Sequence, residues 1–549
     1  MKLRSFLASA FFPLLLFPVL SCASDGGTVF VAPDYSLAEV RKGEIDAIDA
    51  LLSKENEDSY NPVMGLWRAK LLGDEETVGR AFAAVVSEFD SAVEKENWYA
   101  ARSLFKALRV EEYPSLGSLS KTEEELDRLC ALSVPGLGGG SSGVSKVSSL
   151  INGTVTIWVD KGISFHNGMG YADRVIGSGF FISKDGYIIT NNHVIEDVVD
   201  PKNKKYSRVF IKLAEDSTTR IPAKVIGWDS ILDLALLKAE VDAPFVFNLG
   251  SSKDLDVGDK IYAIGSPVGL ERTLTSGIVS ATDRKLFTLG SVMQIDAAVN
   301  SGNSGGPCID ENGNVQAIVF AGMLQYEGLN FAIPVEYLKS ELPALFAGGR
   351  IDHPWISCFG RTKKVLGKEA GLEILYSLPG GSADRSGLKV GDVIVGADGQ
   401  KIRTLEDFQG ILLKNSAKTV IDISVVRGID SDEPSEMKVA VYLGVRPSAP
   451  GLDVYNSDLI ANAFVPLFGM KLVPLSENAS RKFVVQSVLR GSIADESGFS
   501  EMDPLQIRSK KVSEDKTALY VEVYTKNRKK GYVDVPLAMI SSFDSPYYF

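Results

Sequence analysis

Three short strings carry side chains that could do nucleophilic chemistry. Thr190-Asn191-Asn192-His193-Val194-Ile195 sets a histidine just after a strand. Asp229-Ser230-Ile231-Leu232-Asp233-Leu234 sets an aspartate at the head of an apolar strand, and Gly302-Asn303-Ser304-Gly305-Gly306-Pro307 sets a serine in a glycine-rich turn. A serine hydroxyl is a weak nucleophile at neutral pH and needs a base beside it. Histidine titrates near neutrality, so it can take that proton and return it to a leaving amine. A buried carboxylate fixes the imidazole tautomer and stabilises the imidazolium. Glycines let backbone N–H groups of Gly302, Asn303 and Ser304 converge on a developing oxyanion, those of Gly302 and Ser304 foremost. Each string alone has an ordinary structural explanation, and Asp229 rivals Asp233. Jointly, the order His, Asp, Ser on β-rich sequence is the order of chymotrypsin-type catalysis and not of subtilisin or α/β-hydrolase types.

Such side chains need a rigid β scaffold. Phe180-Phe181-Ile182-Ser183 and Tyr187-Ile188-Ile189-Thr190, separated by Lys184-Asp185-Gly186, read as a hairpin, and strands of this kind recur to about Phe331. Ahead of them, Val78, Ala81, Phe82, Val85, Val86, Phe89 and Val93 fall at helical spacing. The helix expected over 98–108 fits either a tetratricopeptide-like hairpin or a small helical bundle. A Gly/Ser linker follows, at 135–143.

With 549 residues, 45% of them hydrophobic and 23% charged, the chain has room for three or four packed domains. Its net charge of −12 repels phosphate backbones, so a dedicated nucleic-acid binder is excluded. The basic runs at 202–205 and 528–530 read as solvated turns. Lys2 and Arg4 precede an apolar run to Leu20, interrupted by Pro13 and Pro18, which reads as an export signal. Val19-Leu20-Ser21-Cys22 resembles a bacterial lipobox, so Cys22 is either lipidated or lost by plain secretory cleavage. Cys130, Cys308 and Cys358 lie far apart and form neither a disulfide framework nor a metal motif. No phosphate-binding glycine loop or His/Cys cluster is present, so no cofactor or metal is expected.

The strings together resemble the HtrA/DegP family of bacterial serine proteases. Beyond the three above, Val257-Gly258-Asp259-Lys260-Ile261-Tyr262-Ala263-Ile264-Gly265-Ser266-Pro267-Val268-Gly269-Leu270, Thr275-Ser276-Gly277-Ile278-Val279-Ser280, Gln294-Ile295-Asp296-Ala297-Ala298-Val299-Asn300 and Phe331-Ala332-Ile333-Pro334 match family segments. The likeness runs from about Leu150 to Leu443. It implies a multidomain fold: an N-terminal α-helical region, a chymotrypsin-like double β-barrel protease domain, a PDZ domain and a degenerate PDZ-like domain. The expected limits are 1–22 for the leader, 30–130 for the helical domain and 131–149 for the linker. The protease domain should span 150–345, the PDZ domain 350–445 and the degenerate PDZ-like domain 455–545.

By position, the resemblance makes His193 the base, Asp233 its orienter, Ser304 the nucleophile and Arg284 an activation-loop relay. The residue six before the nucleophile, Ala298, and then Val299 should floor the pocket for the P1 side chain, with Phe331, Ala332 and Ile333 as a wall. That lining implies cleavage after aliphatic residues. Ala383-Asp384-Arg385-Ser386-Gly387-Leu388-Lys389-Val390-Gly391-Asp392 is similar to a PDZ signature, which places the peptide-carboxylate loop at Trp355, Ile356, Ser357, Cys358 and Phe359. Gly491-Ser492-Ile493-Ala494-Asp495 parallels Gly381-Ser382-Ala383-Asp384, although Met502-Asp503-Pro504 breaks the usual Gly-Asp step, and an unrelated β-rich tail is the other reading. The expected function is an ATP-independent endopeptidase of the cell envelope acting on unfolded or damaged proteins. Expected partners are such polypeptides, apolar C-terminal peptides at the PDZ domain and further copies in a homotrimer or larger oligomer, with the membrane reached only through a lipid anchor. The alternatives are a chaperone or scaffold with a dormant protease domain, and an adaptor led by the helical region.

Overall fold

In the computed structural model the described residues run from 33 to 549, apart from 56–57, 135–146, 167–168, 201–206, 217, 267–272, 286–288, 301, 323–328, 477–480, 528–530 and 532. The leader with Cys22, the Gly/Ser linker stretch, both basic runs and the Pro267–Leu270 end of the family segment lie outside them. No helix among the described residues is long and apolar enough to cross a membrane.

Two barrels carry the three chemical strings. The first uses strands Thr154–His166, Met169–Phe181, Tyr187–Thr190, Arg208–Lys212, Ile221–Asp229 and Leu234–Ala239, closed by pairing of the last two. The second closes over Lys260–Gly265, Thr273–Arg284, Val292–Ile295, Pro307–Ile309, Val315–Gly322 and Asn330–Pro334. Strand alternation sorts the apolar residues. Val155, Ile157, Phe181 and Ile188 fill the first barrel. Phe180, Ile182 and Ile189 face the other way, joining Ile264, Phe331 and Ile333 in a core shared with helix Val335–Ala347.

Ahead of the barrels, the helices Ala38–Leu52, Pro62–Leu72, Glu75–Glu94, Trp98–Val110 and Glu123–Ser133 are set by local signals, and a short helix, Val147–Asn152, leads into the first strand. Asn61, Asp74, Asn97 and Thr122 each accept an N–H of the following first turn, and Thr122 with Glu125 completes a capping box. The apolar stripe expected at 78–93 buries Ala81, Phe82, Val85 and Phe89. The chief surprise is where these helices dock. Their core includes Val420 and Tyr442 of the first PDZ sheet. The Trp67 ring stacks on Tyr442 at 5.7 Å, and its Nε1 donates to the Ala440 carbonyl at 3.2 Å. Asn61 Nδ2 donates to the Tyr442 hydroxyl at 2.7 Å. Trp67→Phe keeps most of the ring and removes one of the two side-chain donors to the Ala440 carbonyl, leaving the Ser386 hydroxyl at 3.0 Å. Urea unfolding should show a loss of about 1–2 kcal/mol, and hydrogen exchange should speed up in strand Ser435–Tyr442 as well as in the helices. A change confined to the helices would mean the two regions are not energetically joined.

The first PDZ region has a sheet ordered Cys358–Val365, Lys368–Ser377, Val393–Ala397, Val420–Arg427, Ser435–Tyr442, with helix Leu405–Leu413 against it. The chain divides into two units, one of residues Ala32–Pro450 with Ser542–Phe549, the other including Gly451–Ser541. The second unit holds a five-stranded sheet of Met470–Pro474, Lys482–Val488, Pro504–Val512, Ala518–Asn527 and Val533–Ser542.

The two units repeat one turn in detail, 111 positions apart. The Asp384 carboxylate accepts the Gly380 N–H as Asp495 accepts that of Gly491. Asp392 accepts the Lys389 N–H as Asp503 accepts that of Ser500. Gly391 N–H donates to Ile374 as Met502 donates to Val485. This pairs Gly491 with Gly380, one residue from the alignment expected with Gly381. It also puts Met502, at φ 67°, where Gly391 sits at φ 94°. The left-handed conformation costs a side-chain-bearing residue roughly 1–2 kcal/mol, so the surrounding bonds hold the turn against the local preference.

Candidate active site

The histidine and aspartate strings meet between the barrels. His193 opens the short helix Asn192–Val199, and Asp233 lies just before strand Leu234–Ala239 with φ 54°. Aspartate tolerates this left-handed conformation better than most residues, and three bonds hold it there. Asp233 Oδ1 accepts the His193 backbone N–H at 2.7 Å, and Oδ2 lies 2.7 Å from His193 Nδ1. The Asp233 carbonyl accepts from Asn191 Nδ2 at 2.9 Å. One carboxylate therefore fixes both the backbone and the ring of His193. The pair is asymmetric in exposure: the His193 side chain is 42% exposed and that of Asp233 9%.

Asp229, the rival, is fully buried and faces elsewhere. Its Oδ1 accepts the N–H groups of Ile231 and Leu232, and Oδ2 lies 2.7 Å from His353 Nε2.

Ser304 stands in the turn before strand Pro307–Ile309. Its hydroxyl donates to the Phe320 carbonyl at 3.1 Å, and no hydrogen bond joins it to His193 among the described residues. The His193 ring lies 6.3 Å from that of Phe320, centre to centre. Gly302 and Gly305 adopt φ 104° and 85°, and a Cβ on Gly305 would come within 2.4 Å of the Ser178 carbonyl and the Thr190 hydroxyl. Only glycine fits that approach. Ser178, which sequence reasoning missed, clamps the turn. Its Oγ donates to the Gly302 carbonyl at 2.6 Å and accepts the Ser266 N–H, while its own N–H donates to the Ser304 carbonyl at 2.8 Å. The available signal was a serine flanked by Gly177 and Gly179 inside a strand, a mark of close packing. Asn191 and Phe320 left no such signal.

Three expectations change. The Asn303 N–H donates to the Asn300 carbonyl at 3.0 Å, so this amide is engaged within the turn, which leaves Gly302 and Ser304 of the expected oxyanion donors. The wall of Phe331, Ala332 and Ile333 splits by strand alternation. Phe331 and Ile333 belong to the core shared with helix Val335–Ala347, while Ala332 joins Val299 inside the second barrel. Ala298 is exposed, and its carbonyl accepts from the Thr275 hydroxyl. Arg284 bonds to Gln294 on the neighbouring strand, and it is Lys285 that pairs with Glu406 on the PDZ helix.

The PDZ loop residues Trp355, Ile356, Ser357, Cys358 and Phe359 lead into edge strand Cys358–Val365. Ser357 takes φ 68°, the conformation that glycine favours. Burial pushes the Cys308 and Cys358 thiols up to about 12, which keeps them protonated and unreactive.

Comparison with known proteins agrees in outline. Models of a trypsin-like peptidase domain match residues 177–318, of a PDZ domain 373–427, of the TP0546 family PDZ domain 451–543, and of a domain of unknown function 39–130. A "Probable periplasmic serine endoprotease DegP-like" of Pseudomonas fulva is 36% identical over 293 residues, 51% of this chain and 58% of that protein. Its namesake in Marinomonas sp. is 33% identical over 337 residues, 58% of this chain and 68% of that protein. A solved HtrA-type protease AlgW with decapeptide shows 26% identity and a TM-score of 0.45, over 55% of this chain and 98% of that one. The chain thus spans 57–58% of the length of the first two curated relatives it matches. With a relative 33% identical and matched over two thirds of its length, and with peptidase and PDZ domain models both matching, the chain belongs to the HtrA/DegP-like family.

Proposed function

We propose that the chain is an exported, ATP-independent serine endopeptidase of the bacterial periplasm or cell envelope that cleaves unfolded polypeptides through an acyl-enzyme. The observation that carries this reading is the His193–Asp233 pair, with both carboxylate oxygens committed to one histidine. In the reaction, Ser304 Oγ leaves the Phe320 carbonyl, passes its proton to His193 Nε2 and attacks the substrate carbonyl. The N–H groups of Gly302 and Ser304 stabilise the oxyanion, and His193 then protonates the departing amine. Water deacylates the serine by the same steps in reverse order of roles. Of the expected pocket residues, the exposed Ala298 offers only small apolar surface to a P1 side chain, with Val299 and Ala332 buried behind it in the second barrel. A buried unpaired Lys or Arg there would cost several kcal/mol, so aliphatic P1 residues are favoured. Labelling with a fluorophosphonate should modify Ser304, and mass spectrometry of casein digests should show cuts after Val, Ala and Ile. Cuts chiefly after Lys or Arg would refute the pocket.

The Ser304 hydroxyl bond to Phe320 also favours a second reading, in which the resting protein is a chaperone or scaffold with its protease dormant. Suppression of aggregation without cleavage, undiminished by Ser304→Ala, would decide for it.

A further inference from the structure

The open edge of strand Cys358–Val365 is occupied by the chain's own residues 547–549. Cys358 N–H donates to the Phe549 backbone oxygen at 2.9 Å, Phe549 N–H returns to the Cys358 carbonyl at 2.9 Å, and Gly360 N–H donates to the Tyr547 carbonyl at 3.1 Å. The pairing is antiparallel, with Phe359 opposite Tyr548. This is the manner in which an extended peptide adds to a sheet edge. On the opposite side, Gln409 of helix Leu405–Leu413 donates to the Pro546 carbonyl at 2.7 Å.

Side chains deepen the contact. Phe549 is wholly buried, edge-on to Phe408 at 5.5 Å. A Cβ on Gly360 would press to 3.0 Å from its ring. The Arg361 guanidinium lies over the Tyr547 ring at 4.6 Å. Further back, Asp544 accepts from Arg446 at 2.6 Å, and Arg446 is itself only 1% exposed in its side chain. A buried guanidinium deprived of its carboxylate is strongly disfavoured, so the segment is anchored at both ends.

We propose that residues 544–549 are an internal ligand of the first PDZ groove, which an external apolar C-terminal segment must displace before it can bind. The proposal rests on reading that groove as a peptide site and adds its occupant and its preference. The groove favours an aromatic at the place of Phe549, a second aromatic two residues before it, and an acidic residue three positions earlier still that answers Arg446. External polypeptides with that pattern compete best, and those without it are kept out.

The test compares the full chain with a chain ending at Phe543 and with Phe549→Ala. The probe is the peptide Asp-Ser-Pro-Tyr-Tyr-Phe, free at its C-terminus and labelled at its N-terminus, with binding read by fluorescence anisotropy. Both altered chains should bind it at least tenfold more tightly than the full chain. Equal affinity in all three overturns the internal ligand and leaves peptide binding intact, whereas no binding in any of them removes both. Hydrogen exchange supplies a readout that does not depend on the variants folding. The amides of Cys358 and Gly360 should be slow in the full chain, and rapid exchange there also overturns the proposal.

Discussion

Ser304→Ala, His193→Ala and Asp233→Asn are each expected to slow casein hydrolysis by about 10⁴-fold or more, and their combinations by little beyond the single losses. The non-additivity follows from geometry, because each loss disables the same step, the transfer of the Ser304 proton to a His193 ring that Asp233 orients. Asp233 accepts from the His193 backbone with one oxygen and holds the ring with the other. An asparagine can keep only one of those acceptors, and its amide N–H presented to Nδ1 favours the wrong tautomer. Asp229→Asn should leave the turnover of folded protein nearly unchanged, since its carboxylate reaches His353 and not His193. If Asp229→Asn matched Asp233→Asn in lost turnover, the assignment of the orienting carboxylate would be wrong.

The buried rival governs stability instead. Asp229, Glu341 and His353 bring ligand-type atoms within 4.8 Å of one another, and all three are buried. They join the first barrel, helix Val335–Ala347 and the segment entering the first PDZ region. Breaking a buried charge pair by removing one partner costs about 3–5 kcal/mol, so Asp229→Ala should lower unfolding free energy by that amount in a denaturant titration.

The same trio sets a pH dependence. Burial pushes Glu341 up to about 8. Burial alone would lower His353, but the Asp229 carboxylate outweighs it and holds the imidazole above its ordinary value, with Arg446 opposing. Both groups bind protons more tightly folded than unfolded. Their contribution is therefore full below their unfolded values, near pH 4.5 for Glu341, and is lost as pH rises through their raised folded values, about 8 for Glu341. Unfolding free energy should fall across that window by a few kcal/mol, on the order of what a shift of this size implies, and Glu341→Gln should flatten the slope. A profile that rises with pH from 5 to 8, unaffected by Glu341→Gln, would contradict a Glu341 and His353 held protonated in the folded chain.

Much of this architecture was written in local patterns. Phe180 to Thr190 announced a hairpin through alternation and an Asp-Gly turn, and the His, Asp and Ser strings announced chemistry through residue type and order. What stayed hidden depends on contacts that leave no local mark. Phe331 and Ile333 looked like pocket wall because their string matched a family segment, yet strand alternation turns them into the core. Trp67 reads as one more apolar helix position until Tyr442 is placed against it. Tyr547 and Phe549 carry no signature of an edge strand, since their partner is supplied by Cys358 and Gly360.

The docking of Trp67 on Ala440 spans 373 residues of chain. At a synthesis rate of about 5–20 residues per second, roughly 20–75 s separate the two halves of that contact. For that interval the N-terminal helices exist without the surface that covers Trp67, while the intervening double barrel can already close on its own short-range pairings. A newborn chain therefore carries a closed double barrel beside an unfinished apolar face. Its earliest product has the character of its own expected substrates, and the last strands of the first PDZ sheet are what end that exposure.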